Sequence, residues 1–263
     1  MIKIFCVTNK IVPVLDKTNL ILAGVGQTKF PDNYLKCDGE NNIFHKEKFY
    51  SELTFHYWYW KNMLANEDSD WVGFCQKRRF WINNDVSNKS IDEKNFTNFL
   101  LDRPPQSWEG SNSVICDPIK VSGAKKIKLL KRGFRNIISQ PSLLWKKNSE
   151  TIKIHFDMHH GYGNLDKAIS LLEKNERNEF RQYVNTKDEY NPHIMFIARP
   201  EVIDQWFKSL FLWLDKCENL FGFKNLRGYD TERIYAYLAE RYLSYWFKKY
   251  TKFKINQWVF INN

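Results

Sequence analysis

The chain has 263 residues, of which 43% are hydrophobic and 16% aromatic, enough to bury a substantial core in one domain. No apolar run approaches the roughly 18 to 20 residues of a membrane span, and the N-terminus lacks the pattern of a signal peptide, so we expect a cytoplasmic protein. The formal net charge of +10 favours an anionic partner, which could be nucleic acid, an anionic membrane surface or a phosphorylated or acidic small molecule. The five scattered cysteines contain no C-x-x-C pair, which indicates reduced, buried thiols.

The N-terminal segment predicts the start of a nucleotide-binding sheet. Residues 3–7 predict a first strand, and the small and polar residues 8–10 that follow suit a ligand-binding loop. Residues 34–48 are polar and rich in turn residues, which predicts a surface loop. Residues 52–66 then predict an amphipathic helix with an aromatic inner face. Its apolar positions at helical spacing are Leu53, Tyr57, Trp60 and Leu64.

The most informative segment is residues 71–80, in which an apolar run ends in three consecutive cations. Residues 71–75 are typical of a strand covered on both faces, and Lys77, Arg78 and Arg79 follow where that strand should end. Ligands of open α/β sheets bind at this carboxyl edge. Because side chains alternate along a strand, we expect one arginine at an anionic ligand and the other braced by a carboxylate. A solvated basic turn explains the local pattern equally well.

The rest of the chain predicts further strands and a largely helical C-terminal part. Residues 86–112 mix polar and turn residues and predict a lid-like excursion. The strand 113–116 should end at Pro118, and a helix capped by Asn148 or Ser149 should run to His160. The remaining predicted elements are helices at 164–183, 202–221 and 231–250 and a strand at 193–198.

A group of histidines raises the question of a metal site. His155 and His159 would share one helical face at positions i and i+4, as a pair of metal ligands does. A third metal ligand is missing, so these histidines are better suited to hydrogen bonding with substrate hydroxyls or phosphate. The simplest explanation of the histidines is that they form the polar end of a helix.

The cations at residues 77–79 could replace a metal. We predict a site without the D-x-D carboxylates that commonly hold a divalent ion on a nucleotide diphosphate, although Mn or Mg dependence stays open. A departing diphosphate must then be stabilised by Arg and Lys, and a guanidinium does this with fixed bidentate geometry.

Near the C-terminus, one predicted helical face carries Arg233, Tyr237 and Glu240. Glu240 could act as a general base, or it could pair with a nearby arginine and hold the helix in place. The sequence has no P-loop, G-x-G-x-x-G turn, G-x-S-x-G elbow or H-E-x-x-H pair, which argues against several common enzyme classes.

Two basic segments, residues 125–132 and 248–254, alternate cations with apolar residues. Such segments can rest on an anionic leaflet, where each nearby cation contributes about 1 kcal/mol. An ordinary solvated surface is at least as good an explanation.

Two sequence blocks are individually rare: the E-L-T motif at 52–54 followed by Y-W-Y-W-K-N at 57–62, and W-V-G-F-C-Q-K-R-R-F at 71–80. Together with residues 2–10, 191–197, 227–229 and 239–243, they resemble one family over almost the whole chain. This family is the bacterial capsular and lipopolysaccharide glycosyltransferases, long catalogued as a domain of unknown function, with a GT-A-like fold.

Two motifs depart, at three positions, from the family pattern, which commonly has V-T-H-K and C-H-Y-R-R. This chain has Asn9 and Gln76 at the histidine positions and Lys77 at the tyrosine position. Asn and Gln keep hydrogen-bonding capacity but do not titrate near neutral pH, so a proton-transfer role is excluded at both positions.

The resemblance implies transfer of a sugar from a nucleotide diphosphate donor, with UDP favoured, to a growing glycan or lipid-linked acceptor at the inner membrane face. It implies one domain over residues 1–263, with an α/β, Rossmann-like mixed sheet in a nucleotide-sugar half (1–120) and a largely helical acceptor half (121–263). The predicted nucleotide-sugar-binding residues are Thr8, Asn9, Asp38, Asn42, Tyr57, Lys61, Gln76, Arg78 and Arg79. The predicted sugar or acceptor contacts are His160, Asn191, His193 and Arg233, and the candidate bases are Glu240 and Asp157.

Two alternatives belong to other classes. One is a non-enzymatic basic protein that binds nucleic acid through lysines and exposed aromatics, although most aromatics here have helix-core spacing, so we expect no nucleic-acid partner. The other is an inactive family member that binds sugar nucleotides, which the two missing histidines favour.

Overall fold

A computed structural model describes residues 1–83, 91–121, 133–139, 141–145 and 150–262. Its centre is a nine-stranded mixed sheet, and a separate two-stranded ribbon lies beside it. The strands are β1 (Ile2–Thr8), β2 (Ile21–Gly24), β3 (Leu35–Lys36), β4 (Trp71–Gln76), β5 (Arg79–Trp81), β6 (Ser113–Cys116), β7 (Ile119–Lys120), β8 (Glu189–Tyr190), β9 (Phe196–Ala198), β10 (Phe253–Asn256) and β11 (Trp258–Phe260).

Two long helices and several shorter ones flank the sheet. The helices are α1 (Glu47–Tyr50), α2 (Leu53–Asn62), α3 (Phe134–Ser139), α4 (Ile152–His160), α5 (Asn164–Ile169), α6 (Lys174–Thr186), α7 (Pro200–Phe221), α8 (Tyr229–Glu232) and α9 (Ile234–Tyr250). Short 3₁₀ helices connect them at Pro13–Lys17, Phe44–Lys46, Leu64–Asn66, Phe96–Phe99, Gln106–Trp108 and Pro141–Leu144. Within the described ranges, no helix combines the length and the apolar character needed to cross a bilayer.

The strand order decides where a ligand can bind. The central path runs β10-β6-β9-β4-β1-β2-β3, while β5 pairs with β4 and β11. Strand β1 is parallel to both β2 and β4, so these strands end at one edge of the sheet. Strand β9 is antiparallel to β4 and β6, so its amino end lies at that same edge. The predicted mixed α/β sheet is confirmed.

Both faces of the sheet are buried, as the near-continuous apolar strands predict. Along β1, Phe5 and Val7 join the core beneath the helices, whereas Ile4 and Cys6 join a second core on the opposite face. Helices α2, α7 and α9 cover the first face. On the second face, two short 3₁₀ helices place Phe96 and Trp108 in the core. All five cysteines are buried and free.

The centre of the sheet is tightly packed at Gly73. A methyl group added there would lie 2.7 Å from Cγ1 of Ile197 on β9 and 3.3 Å from Cγ1 of Ile4 on β1. Because real side chains do not approach that closely, the glycine lets β9 pack against β4 at this level of the sheet.

Several boundaries differ from the predictions. Helix α2 ends at Asn62 and not at residue 66. Of the predicted inner positions, Leu53 and Leu64 are buried, but Tyr57 and Trp60 are only half-buried. The other buried residues of α2 are Thr54, Phe55, His56 and Tyr59. The predicted helix 164–183 is two helices that are separated at residues 170–173, and the predicted helix 231–250 is interrupted at Arg233. The strand predicted at 193–198 begins only at Phe196.

Some predictions fall partly or wholly outside the described residues. These are the basic segment 125–132, the caps at Asn148 and Ser149, and residues 86–90 of the excursion. Helix α4 has Thr151 as its N-cap, and the Thr151 side chain accepts a hydrogen bond from the Ile154 amide. In the second basic segment, Lys249 forms an ion pair with Glu179, which ties the end of α9 to α6.

Candidate active site

A cavity of about 500 Å³ opens at the sheet edge where β1 and β4 end. We call its two sides the strand wall and the helix wall. The strand wall comprises Thr8, Asn9, Glu52, Gln76, Lys77, Arg78 and Arg79, and the helix wall comprises His155, His159, His160, Asp230, Arg233, Tyr237, Glu240 and Arg241. His193 and Ile194, which lead into β9, lie between the walls.

The strand wall begins with the ends of two parallel strands. The Thr8 hydroxyl is bonded to the backbone of Lys10, which shapes the loop after β1. Lys77, at the equivalent point after β4, donates a hydrogen bond to the Asn9 side chain. Burial and the nearby cations Lys10 and Arg78 lower the pKa of Lys77. Cations crowded together in this way favour an anionic ligand.

Lys77, Arg78 and Arg79, the cationic turn, form a tight β4–β5 connection that the sequence did not predict. Gln76 of β4 pairs with Arg79 of β5, so both arginines are turned back towards the cavity. Among the described residues no carboxylate forms an ion pair with either arginine, and the Nε atom of each is buried without a hydrogen-bond partner. The expected carboxylate brace is therefore wrong for the described part of the chain: Arg79 Nη1 donates to the Gln76 amide oxygen at 3.3 Å.

Gln76 links the cationic turn to a carboxylate. Its Nε2 donates to Glu52 Oε1 and, at 2.8 Å, to the backbone oxygen of His193. Glu52 directly precedes α2 and is half-buried in the cavity wall. Burial raises the pKa of Glu52 above its ordinary value, and the partial counter-effects come from Ser51 and Arg233.

The helix wall is held by a charged pair at neighbouring positions of α9. Arg241, with only 1% of its surface exposed, donates to Glu240 Oε2 and stacks over the Tyr190 ring at 3.8 Å. Glu240 Oε1 accepts a hydrogen bond from the His193 amide at 2.6 Å. Burial alone would raise the pKa of Glu240, but the charge of Arg241 and the His193 contacts outweigh it and lower that pKa.

The histidines of α4 also belong to the helix wall. His160 stacks on Tyr237 with ring centroids 3.8 Å apart, and its Nδ1 lies 2.7 Å from the Asp230 carbonyl. Burial and the nearby Arg241 lower the pKa of His160 to about 4. His155 stacks on His159, and its Nδ1 lies 3.4 Å from Arg241 Nη2, so a cation already adjoins this pair.

Strained backbone is concentrated at the cavity. Of the four non-glycine residues with positive φ among the described ones, Ser51 (52°), His193 (70°) and Ile194 (53°) line the cavity. For Ile194 this is especially unfavourable because its side chain is β-branched. Such strain persists only where the surroundings enforce it, and it tends to mark ligand sites.

Four predicted nucleotide-sugar residues lie outside this cavity wall. Tyr57 packs edge-on against Phe211 of α7, and Lys61 Nζ lies 3.4 Å above the Trp60 ring. Asp38 belongs to a separate cavity of about 450 Å³ beyond β2 and β3, and Asn42 holds the same loop by donating to the Asp38 carbonyl at 3.1 Å.

Two further candidates also lie outside the wall. Asp157 is buried, forms an ion pair with Lys153 at 2.7 Å and accepts from the Gly163 amide at 3.0 Å, so it holds the turn after α4. Asn191 is fully buried and donates to the Cys116 carbonyl at 2.6 Å. The other predicted residues, Thr8, Asn9, Gln76, Arg78, Arg79, His160, His193, Arg233 and Glu240, do line the cavity, and their individual roles stay predictions.

The cavity contains residues that the sequence analysis did not assign. Arg241 was quoted only as part of a matching segment, although its apolar helical surroundings could have indicated a buried cation in need of a partner. Glu52 has no role among the predicted site residues, and the signal that could have found it is the E-L-T motif of which it is the first residue.

The described cavity residues include no ready-made ligand set for a divalent metal. Among the described residues no three His, Cys, Asp or Glu side chains come together as a metal site. The chain does contain one D-x-D triplet, Asp68-Ser69-Asp70, but none of its residues lines the cavity. It precedes β4, about 20 Å from the cavity edge at 3.3 Å per strand residue. Asp68 and Asp70 there form ion pairs with Lys3 and the N-terminal amine.

The comparisons with known proteins agree with this architecture. The family described as "Domain of unknown function (DUF4422)" matches residues 3–252. The chain belongs to this family. No curated protein matches the sequence.

Among solved structures, the DUF4422 chain resembles the apo structure of the bifunctional glycosyltransferase WbbM, with a TM-score of 0.74 and 21% sequence identity. The match covers 100% of this chain and 45% of the WbbM chain, so the chain spans less than half the length of that protein. At this identity the similarity establishes the fold, and it confirms the predicted GT-A-like class.

Proposed function

We propose that this chain is a glycosyltransferase that transfers a sugar from a nucleotide diphosphate donor to a glycan. The observation that carries the proposal is the cationic turn at the carboxyl edge of parallel strands, with two arginines that form no ion pair with a described carboxylate. A cluster of this kind is costly unless an anion binds to it. The shared fold with a glycosyltransferase supports the reaction class.

The chemistry assigns a task to the cationic turn. When the bond between the sugar and the diphosphate breaks, negative charge develops on the departing phosphate oxygens. Arg78 and Arg79 can donate to those oxygens with bidentate geometry, and Lys77 adds a point charge. Because these cations are held by the hairpin before substrate arrives, they stabilise the charge without reorganising.

The size and polarity of the cavity suit such a donor. Its volume of about 500 Å³ lies within the range of small-molecule sites. Tyr237 and the histidines of the helix wall offer rings and hydrogen-bonding groups for a sugar. We propose a UDP-sugar as the donor and a growing capsular or lipopolysaccharide glycan, lipid-linked at the inner membrane face, as the acceptor.

A thermal-stability screen tests the proposal. The protein is heated with a panel of nucleotides and nucleotide sugars, with manganese or with a chelator, since a ligand at 100 times its Kd should add about 2.7 kcal/mol to the free energy of unfolding. We expect one nucleoside diphosphate and its sugars to raise the melting temperature selectively, in chelator as well. Stabilisation that needs manganese would contradict the use of arginines in place of metal.

Two other outcomes would overturn the proposal. If no donor stabilises the protein and it binds oligonucleotides with steep salt dependence, it is a nucleic-acid-binding protein. If a donor binds saturably but no acceptor on a broad panel is glycosylated, the chain is an inactive family member.

A further inference from the structure

Three carboxylates among the described residues line the cavity, and they are not equivalent. Asp230 belongs to the helix wall, where its carbonyl accepts from His160. Glu240 is held by Arg241 on one oxygen and by the His193 amide on the other. Glu52 stands alone in the strand wall and forms no ion pair with a described residue.

Glu52 is also the carboxylate connected to the cationic turn. Gln76 donates its amide hydrogen to Glu52 Oε1 and accepts from Arg79 Nη1 through its own oxygen. Since Gln76 also donates to the His193 carbonyl, it is held from three sides and fixes Glu52 relative to Arg79. Glu52 therefore lies beside the proposed diphosphate position, and the sugar carbon bonded to that diphosphate would lie close to Glu52.

The two glutamates have opposite electrostatic environments. Arg241 keeps Glu240 ionised, with a pKa below its ordinary value. Burial raises the pKa of Glu52 despite the opposing effects of Ser51 and Arg233, and the negative charge of Glu240 adds to the rise. A pair of carboxylates whose pKa values are moved apart commonly divides its work, with the group of higher pKa handling a proton and the other staying charged. A proton acceptor works best when its pKa lies nearer the operating pH.

We propose that Glu52 accepts the proton of the acceptor hydroxyl during transfer, a role that rests on the glycosyltransferase function proposed above. The acceptor O–H bond breaks and its proton passes to the Glu52 carboxylate, while the oxygen forms a bond to the anomeric carbon. The bond from that carbon to the diphosphate oxygen breaks, and its electron pair leaves with the nucleoside diphosphate beside the cationic turn. Glu52 returns the proton to solvent after product release.

The test compares the wild-type protein with Glu52→Gln, using the donor identified by the stability screen. The substitution keeps the size of the side chain and an oxygen that can accept from Gln76, so the fold and donor binding should survive. We expect kcat to fall by about 100-fold or more, which is typical of losing general-base catalysis. The donor Kd, measured by calorimetry, should change by no more than about threefold.

The pH dependence separates a proton acceptor from a merely structural group. Because Glu52 must be deprotonated to act, kcat of the wild type should fall on the acid side of a pKa above the ordinary glutamate value. Glu52→Gln should lose this acid limb, and Glu52→Asp, which keeps a carboxylate, should retain it at a lower rate. Glu109→Gln, at an exposed site far along the chain, serves as the matched control and should behave as the wild type.

The two proposals fail in different ways. If the wild type transfers sugar and Glu52→Gln does so within about tenfold with the same acid limb, Glu52 is not the proton acceptor although the function stands. If the wild type neither binds nor consumes any nucleotide sugar, the function itself is wrong and the role of Glu52 falls with it.

Discussion

The two walls of the cavity differ in how their arginine charges are compensated. On the helix wall, Arg241 is buried against Glu240 and an aromatic ring, so its charge is compensated within the protein. On the strand wall, Arg78 and Arg79 form no ion pair with a described carboxylate. Burial and the neighbouring Arg78 lower the pKa of Arg79, although the charges of Glu52 and Glu240 oppose this shift. The ion pair of the helix wall stabilises the folded protein, whereas the arginines of the strand wall are only partly compensated and remain available to an anionic ligand.

This difference suggests that, within one site, the charged residues of one wall serve stability and those of the other serve function. Natural active sites often retain groups that destabilise the free protein because those groups bind substrate or transition state. The helix wall should therefore respond to mutation mainly through the free energy of unfolding. The strand wall should respond mainly through binding and turnover.

The largest effect is expected from Arg241→Met, which removes the buried cation that forms an ion pair with Glu240. Breaking a buried ion pair in this way costs about 3–5 kcal/mol, and urea denaturation should show the loss. The double variant Glu240→Gln/Arg241→Met removes both charges and should regain much of that stability. A loss below about 1 kcal/mol in the single variant would mean that the helix wall is not held by this pair.

Arg79→Gln and Arg78→Gln test the opposite wall. We expect at least one of them to lose about 100- to 1000-fold in kcat/KM, the usual cost of removing a donor to developing charge. The free energy of unfolding should stay within about 0.5 kcal/mol of the wild type or rise, since a crowded cation is removed. Arg103→Gln, at an exposed position, is the control with the same charge change. Full activity in both variants would contradict the proposed role of Arg78 and Arg79 in stabilising the departing diphosphate.

A smaller effect is expected from acid, acting on the helix wall. The pKa of His160 is lowered to about 4 by burial and Arg241, against roughly 6.5 in an unfolded chain. Protonation thus favours the unfolded state, so the stability contribution is complete above pH 6.5 and is lost as the pH falls towards 4. The full loss is roughly 3 kcal/mol.

Denaturation of the wild type and His160→Gln at several pH values measures this contribution. The variant should lose less stability between pH 6.5 and 4, although His193 and His56, whose pKa values are also lowered, keep part of the dependence. Identical pH dependence in the two proteins would show that His160 is not held in its neutral form.

Much of the fold could be predicted because the hydrophobic pattern of the sequence marks many of its strands and helices. Strands such as β1 and β4 are apolar runs of strand length, and α7 is long and strongly amphipathic. The orientation of α2 could not be predicted, because a helix with aromatics on all sides has no unique inner stripe. The β4–β5 hairpin was missed because Lys77 and Arg78 are not residues that announce a tight turn.

Site residues that lie at the ends of strands could be predicted from the topology of the sheet. Residues whose role depends on tertiary contacts could not. Thr8, Gln76 and the cationic turn follow from the rule that parallel strands end at a common edge. Asn191 is equally polar, but its side-chain amide donates a hydrogen bond to the Cys116 carbonyl inside the protein. That bond depends on tertiary packing, and so does the difference between the environments of Glu52 and Glu240.

Gly73 shows that a residue out of reach of any ligand can determine the shape of the cavity. It allows β9 to lie close against β4, and the strained residues that enter β9 form the floor between the two walls. A side chain at this position would push on Ile197 and thereby move His193, through which Gln76 and Glu240 are both bonded. Efforts to alter donor preference that vary only the cavity lining would overlook the sheet interior, which sets the spacing of the parts.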